Sequence, residues 1–197
     1  PFYRTHTSVE GMLMDSAERG IDNAPGVRWV YSDIGFMLLG RVVARVTGQT
    51  LDRFCPSRIF TPLNMGDTCF NPPESVSPRC VPTERCGWRG RLMQGEVHDQ
   101  NSYAAGGVTG HAGLFSTADD LARFCRAFLC GEVVSESTLD EVSVKGQVPF
   151  YPWQGLGWLI DPWDTKTTGF LPSEFRAMMR LPWDEGQQRR FDLLLGG

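Results

Sequence analysis

Lysine is almost absent from this chain: among its 19 basic residues only Lys145 and Lys166 are lysines. The first consequence is chemical. The residues three before these lysines are Val142 and Trp163, so a serine and lysine in the spacing Ser-x-x-Lys do not occur together. That pair is therefore missing from the 197 residues. An excess of positive charge is missing too. With a net charge of -4 and a pI near 5.4, the chain lacks the basic face that phosphate backbones require, so nucleic acid is excluded as a partner. No uninterrupted apolar run reaches the ~18 residues of a membrane-spanning helix, so no membrane span is expected. The start carries no signal-peptide pattern, which leaves bacterial cytoplasm and cell envelope both open.

What is present is the composition of an ordinary globular protein, 41% hydrophobic and 21% charged, with enough length for one substantial core. Of the six cysteines, Cys125 and Cys130 fall in an amphipathic stretch that suits small buried hydrophobes. Cys80 and Cys86 flank a polar loop and are the pair best placed to form a disulfide. A metal site built from Cys80, Cys86, His98 and His111 does not fit compact zinc spacing, and none is assigned.

Helix signals are local and clear. From Ser8 the apolar positions Val9, Met12, Leu13 and Ala17 recur at helical spacing, with Gly20 as a stop. Ala24-Pro25-Gly26 is a turn signal, and the β-branched and aromatic run Val27-Arg28-Trp29-Val30-Tyr31 predicts a strand. Ser32 or Asp33 then caps a helix to about Thr47, with Gly48 at its C′ position. Phe36, Leu39, Val43 and Val46 are its expected buried stripe, opposite Arg41 and Arg45. A further helical piece from Thr50 is expected to break at Pro56. Residues 71 to 92 read as a long irregular loop. Four glycines, Gly106, Gly107, Gly110 and Gly113, suit a backbone turning tightly beside a ligand. The stretch lacks the lysine of a phosphate loop, so phosphate cradling is disfavoured. Ser116-Thr117-Ala118-Asp119 opens another helix in the manner of a capping box, and a shorter helix is expected from Ser137 to Val144.

Several of these segments carry a resemblance. Tyr31-Ser32-Asp33 at the start of an apolar helix resembles the Tyr-x-Asn motif of the serine β-lactamase and penicillin-binding-protein-like superfamily, in its class C and esterase branch, with Asp33 standing for Asn. The likeness continues through Thr47-Gly48, Ile59-Phe60-x-Pro62-Leu63-x-Met65, Gly95-Glu96-Val97-His98-Asp99-x-Asn101 and Gly106-Gly107-x-x-Gly110-His111-Ala112-Gly113-Leu114-Phe115-Ser116-Thr117-Ala118-x-Asp120-Leu121. Thr5-His6-Thr7-Ser8 resembles the His-Thr-Ser-Gly segment of the family, with Val9 in place of glycine. Gly155-Leu156-Gly157-Trp158 resembles one sheet strand, and Lys166-Thr167-Thr168-Gly169 the third motif with one threonine too many. Residues 176 to 197 are atypical of the family.

The resemblance implies an α/β (α+β) fold with an antiparallel sheet and a helical lobe, here incomplete: residues 1 to 197 are expected to form a partial domain. It implies acyl-enzyme chemistry on ester, β-lactam or D-amino-acid peptide carbonyls, with the serine outside this chain and the chain inactive alone. Tyr31 and Asp33 take the catalytic positions, and His98, Asp99, Asn101, Gly110 and His111 the substrate-binding wall. The partner implied is a small-molecule acyl substrate, with no cofactor. A non-catalytic ligand-binding member of the same fold is the alternative. The chemistry itself sets a demand: a phenol ionises near ~10, and a helix start contributes only about 0.3–1 kcal/mol towards its anion. A phenol used as a base therefore needs a neighbouring cation, and an ionised Asp33 would oppose it.

Overall fold

A computed structural model describes residues 1–28 and 30–142. The chain divides into two compact units, Pro1–Phe124 and Cys125–Gly197. The first opens with a 3-10 turn, Phe2–Arg4, and helix α1, Val9–Arg19. Ser8 caps α1 by accepting the Gly11 amide, and Gly20 ends it, as the local signals require.

Helix α2, Asp33–Thr47, is the longest element described. Ser32 rather than Asp33 is its cap, its hydroxyl accepting the Gly35 amide at 3.1 Å. Gly48 closes it in the left-handed region at φ 69°, where a side chain would be strained. The expected strand over 27 to 31 does not form among the described residues. A strand exists only where a neighbour completes its ladder, and here Val30 and Tyr31 stand exposed.

The buried face of α2 is also not the expected one. Met37 is 1% exposed, whereas Phe36, Leu39 and Val46 are exposed. The helix is apolar nearly all round, so periodicity alone could not choose its inner face. Packing of α1 against α2 chooses Met37, which joins Met12 in the core. Helix α3, Leu51–Cys55, does not stop at Pro56 but continues as a π-helical turn, Pro56–Phe60. Proline is tolerated there because it sits in the first position of the turn.

Two short antiparallel ladders follow. Strand β1, Cys69–Phe70, pairs with β4, Leu114–Phe115, in the register Cys69 with Phe115 and Phe70 with Leu114. Strand β2, Arg85–Cys86, pairs with β3, Arg91–Leu92. The stretch from 71 to 92 is thus less irregular than its composition suggests. It contains a 3-10 turn, Ser77–Arg79, and this hairpin, with Met93 fully buried behind it. Cys80 and Cys86 do not bridge. The Cys86 sulfur instead accepts a hydrogen bond from Arg89 Nε at 3.3 Å, and that guanidinium holds its thiol down to about 7.

Helix α4, Gln100–Ala104, leads into the glycine-rich loop. Helix α5, Ala118–Leu129, starts after Thr117, whose hydroxyl accepts the Asp120 amide. The capping box therefore sits one residue later than expected, and its acidic member, Asp120, does not turn back to the cap. Its carboxylate, 1% exposed, accepts the Asp67 amide at 2.9 Å and the Thr68 hydroxyl at 2.8 Å, and pairs with Arg123 at 2.6 Å. This satisfies a buried charge that would otherwise be costly. In the second unit, helix α6 spans Glu136–Val142, and Ala127 and Leu139 are buried. The expected Gly155-Leu156-Gly157-Trp158 strand, Lys166-Thr167-Thr168-Gly169 and the atypical 176–197 stretch lie outside the described residues.

Candidate active site

The start of α2 and the glycine-rich loop are brought together by a contact between backbones. A methyl group on Gly110 would lie 2.0 Å from the Phe36 carbonyl oxygen, and one on Gly40 would lie 3.2 Å from Gly110 Cα. Only glycine at 110 lets the loop sit this close to the helix. Gly110 thus acts in the structure as a spacer, and it sets the residue after it, His111, near the first turn of α2.

The loop is also braced from within. Ser102, fully buried, donates to the Ala112 carbonyl at 3.2 Å. Thr109 Oγ1 lies 3.0 Å from Ser102 Oγ and 2.9 Å from the Ala112 carbonyl. Neither residue is a site candidate from sequence, since a serine in a short helix and a threonine among glycines carry no distinctive signal. Arg89 is a second hidden brace: it donates to the carbonyls of Val97 and His98, and its guanidinium lies 4.5 Å from the Tyr103 ring centre, within the range of a cation–π contact.

Three predicted residues meet here. Asp33, Asp99 and His111 each place one carboxylate oxygen or ring nitrogen within 4.8 Å of the others. Asp99 is the cap of α4, and its Oδ1 accepts both the Ser102 amide at 2.7 Å and His111 Nε2 at 2.9 Å. The His111 hydrogen bond is the main cause that holds the Asp99 carboxyl below the usual carboxylate value, aided by the Ser102 amide and opposed by burial. The His111 side chain is 4% exposed, and its Nδ1 is buried without a hydrogen-bond partner. Such a cluster can share a proton or hold a cation.

The other predicted residues have different neighbours. Tyr31, just before the start of α2, is 77% exposed, leaving the phenol open to solvent. His98 turns to Thr83 Oγ1 at 2.7 Å and Glu84 at 3.1 Å. Asn101 accepts the Tyr3 amide at 3.1 Å, tying the first turn of the chain to α4. Two grooves flank α2. One, about 620 Å³, runs past Ser8, Met37, Arg41 and Thr50. The other, about 350 Å³, is lined by Phe36, Leu39, Phe70, His111 and Leu114.

A family model described as Beta-lactamase matches residues 3–182. The chain belongs to the beta-lactamase family. An N-acetylmuramyl-L-alanine amidase of Bacillus subtilis (strain 168) is 40% identical over 123 residues, covering 55% of this chain and 28% of the relative. A putative D-alanyl-D-alanine carboxypeptidase of Escherichia coli (strain K12) is 33% identical over 188 residues, covering 84% of this chain and 42% of the relative. Among solved structures, a D-stereospecific amidohydrolase from Streptomyces sp. aligns with a TM-score of 0.57 at 26% identity, over 79% of this chain and 46% of that one. FmtA from Staphylococcus aureus aligns with a TM-score of 0.61 at 17% identity, over 80% of this chain and 44% of that one, and shows the fold alone. The chain spans less than half the length of each of these proteins. The β-lactamase and transpeptidase-like fold is thereby established, in its mixed α and β character and in partial extent. No helix among the described residues is long and apolar enough to cross a membrane.

Proposed function

We propose that this chain is part of a serine hydrolase of the beta-lactamase family that cleaves amide or peptide bonds beside D-amino acids, through an acyl-enzyme. The observation that carries this reading is the exposed Tyr31 phenol, two residues from the Asp33–Asp99–His111 cluster, in a chain matched by the family over residues 3–182. The amide-cleaving names of the relatives move the substrate from esters towards D-alanyl peptides and D-amino-acid amides. Tyr31 is the proton-handling phenol. Asp33, with Asp99 and His111, fixes the start of α2 beneath it, and His98, Asn101 and Gly110 shape the surrounding wall.

No Ser-x-x-Lys pair occurs among the 197 residues. Without the lysine of that pair to stand beside the phenol, the 197-residue chain by itself is expected not to turn over substrate. Intact-protein mass after incubation with a fluorophosphonate, and separately with a β-lactam, tests this. No adduct on folded protein is the expected result. A stoichiometric serine adduct would show that the chain carries its own nucleophile. The ligand-binding alternative is favoured by the same missing pair, and saturable binding of a D-alanyl-D-alanine peptide by a full-length gene product without Ser-x-x-Lys would select it.

A further inference from the structure

The ladder between β1 and β4 stops after two residue pairs, Cys69 with Phe115 and Phe70 with Leu114. Continued in that register, Asn71 would face Gly113. It leaves the ladder instead, with φ at 43°. That is the left-handed region, which asparagine is among the few residues other than glycine to tolerate. Glycine would serve such a turn at least as well, so the side chain is what asparagine adds.

The side-chain amide is in use. Asn71 Nδ2 donates to the Gly106 carbonyl at 2.9 Å, and a methyl group on Gly107 would lie 2.1 Å from Asn71 Oδ1. The side chain therefore rests against the backbone of Gly106 and Gly107, both at positive φ, where the glycine-rich loop begins. From there two paths lead to His111. The Gly107 amide donates to the Ser102 carbonyl at 2.7 Å, and Ser102 in turn donates to the Asp99 carboxylate and the Ala112 carbonyl. A methyl group on Gly113 would lie 2.1 Å from the Gly107 carbonyl oxygen, so the two ends of the loop close on each other. His111 stands inside that closed loop, its ring against Asp99. We propose that Asn71 is a positioning residue for the Asp99–His111 pair, its side-chain amide holding the glycine-rich loop in the conformation that seats the imidazole. The assignment rests on the reading of that pair as part of the hydrolase site.

The test is carbethoxylation of the 197-residue chain by diethyl pyrocarbonate, followed histidine by histidine through peptide mass mapping. The three histidines serve as references for one another. The His111 side chain is 4% exposed and that of His98 42%, so in the parent chain His111 is expected to react roughly tenfold more slowly than His98, or slower still. Asn71→Gly keeps the left-handed backbone and deletes only the amide. It is expected to bring the His111 rate to within about threefold of the His98 rate, with His98 itself unchanged. Asn71→Asp, which keeps the shape but cannot donate to Gly106, should do the same, and it decides alone if the glycine variant fails to fold. Asn64→Gly, at a second left-handed asparagine with φ 56°, is the control and should leave His111 slow. A folded variant at 71 in which His111 stays slow would make Asn71 a turn residue only and overturn the proposal. So would a fast His111 in the parent, or equal acceleration in Asn64→Gly, since loosening anywhere would then suffice. Reactivity is read without turnover, so failure of the hydrolase reading and failure of this one are separate results.

Discussion

Asp99 is ionised with help from its neighbours, and the effect of that help runs to acid pH. Its carboxyl lies below the ordinary value of 3.8 when folded. The stability it contributes is therefore complete above that ordinary value, and is lost as pH falls through the lower folded one. Replacing Asp99 by Ala should remove this part of the acid limb and cost about 1–3 kcal/mol at neutral pH, since His111 and the α4 cap lose their acceptor. Circular-dichroism melts from pH 2 to 7 measure it, and an acid slope equal to that of the parent chain would contradict it. Cys86 has the same sign at higher pH. Its thiol, ordinarily near 9.0, is drawn down to about 7 by Arg89, so its contribution is full above pH 9 and is lost as pH falls through 7. Arg89→Met should return the Cys86 titration towards its ordinary value, read as the difference in ultraviolet thiolate absorbance between the variant and the same protein carrying Cys86→Ser.

At the scale of elements, the predictions concern how α2 begins and what touches it. Ser32→Ala removes the hydroxyl that accepts the Gly35 amide and should cost about 1 kcal/mol, read from urea unfolding. Gly110→Ala is expected to cost more, on the order of 1–3 kcal/mol, because the new methyl meets the Phe36 carbonyl rather than a yielding side chain. A Gly110→Ala chain as stable as the parent would refute the wedge. The sequence made much of this level legible. Ser8, Gly20 and Gly48 mark helix ends because capping is decided within four residues. The strand expected at 27 to 31 and the inner face of α2 were not legible, because both depend on neighbours distant in the chain. The cluster falls between these cases. Asp33, Asp99 and His111 are each readable as motif members, but their meeting depends on a loop packed against a helix, which no local pattern encodes.

For the whole molecule, the telling feature is what α2 leaves uncovered. Leu38, Leu39, Val42 and Val46 are between 49% and 80% exposed, on a helix whose apolar character suits burial on several sides. Exposed apolar area of this kind promotes association. The 197-residue chain is therefore expected to scatter light increasingly with concentration, and Leu38→Glu with Val46→Glu should suppress this while shifting stability by only about 0.5 kcal/mol each. Unchanged scattering would show that this face is not the sticky one. The core is rich in methionine, with Met12, Met37, Met65 and Met93 all buried, and so tolerates conservative exchange better than a core of branched side chains.

One oxygen, Asp99 Oδ1, receives both the Ser102 amide and His111 Nε2. Whatever happens to the imidazole is thereby felt one residue pair away, at a proton that nuclear magnetic resonance observes directly. The Ser102 amide is a built-in reporter: its chemical shift and exchange rate follow any change in the His111–Asp99 hydrogen bond, so the state of the cluster can be followed without a substrate, a label or a turnover.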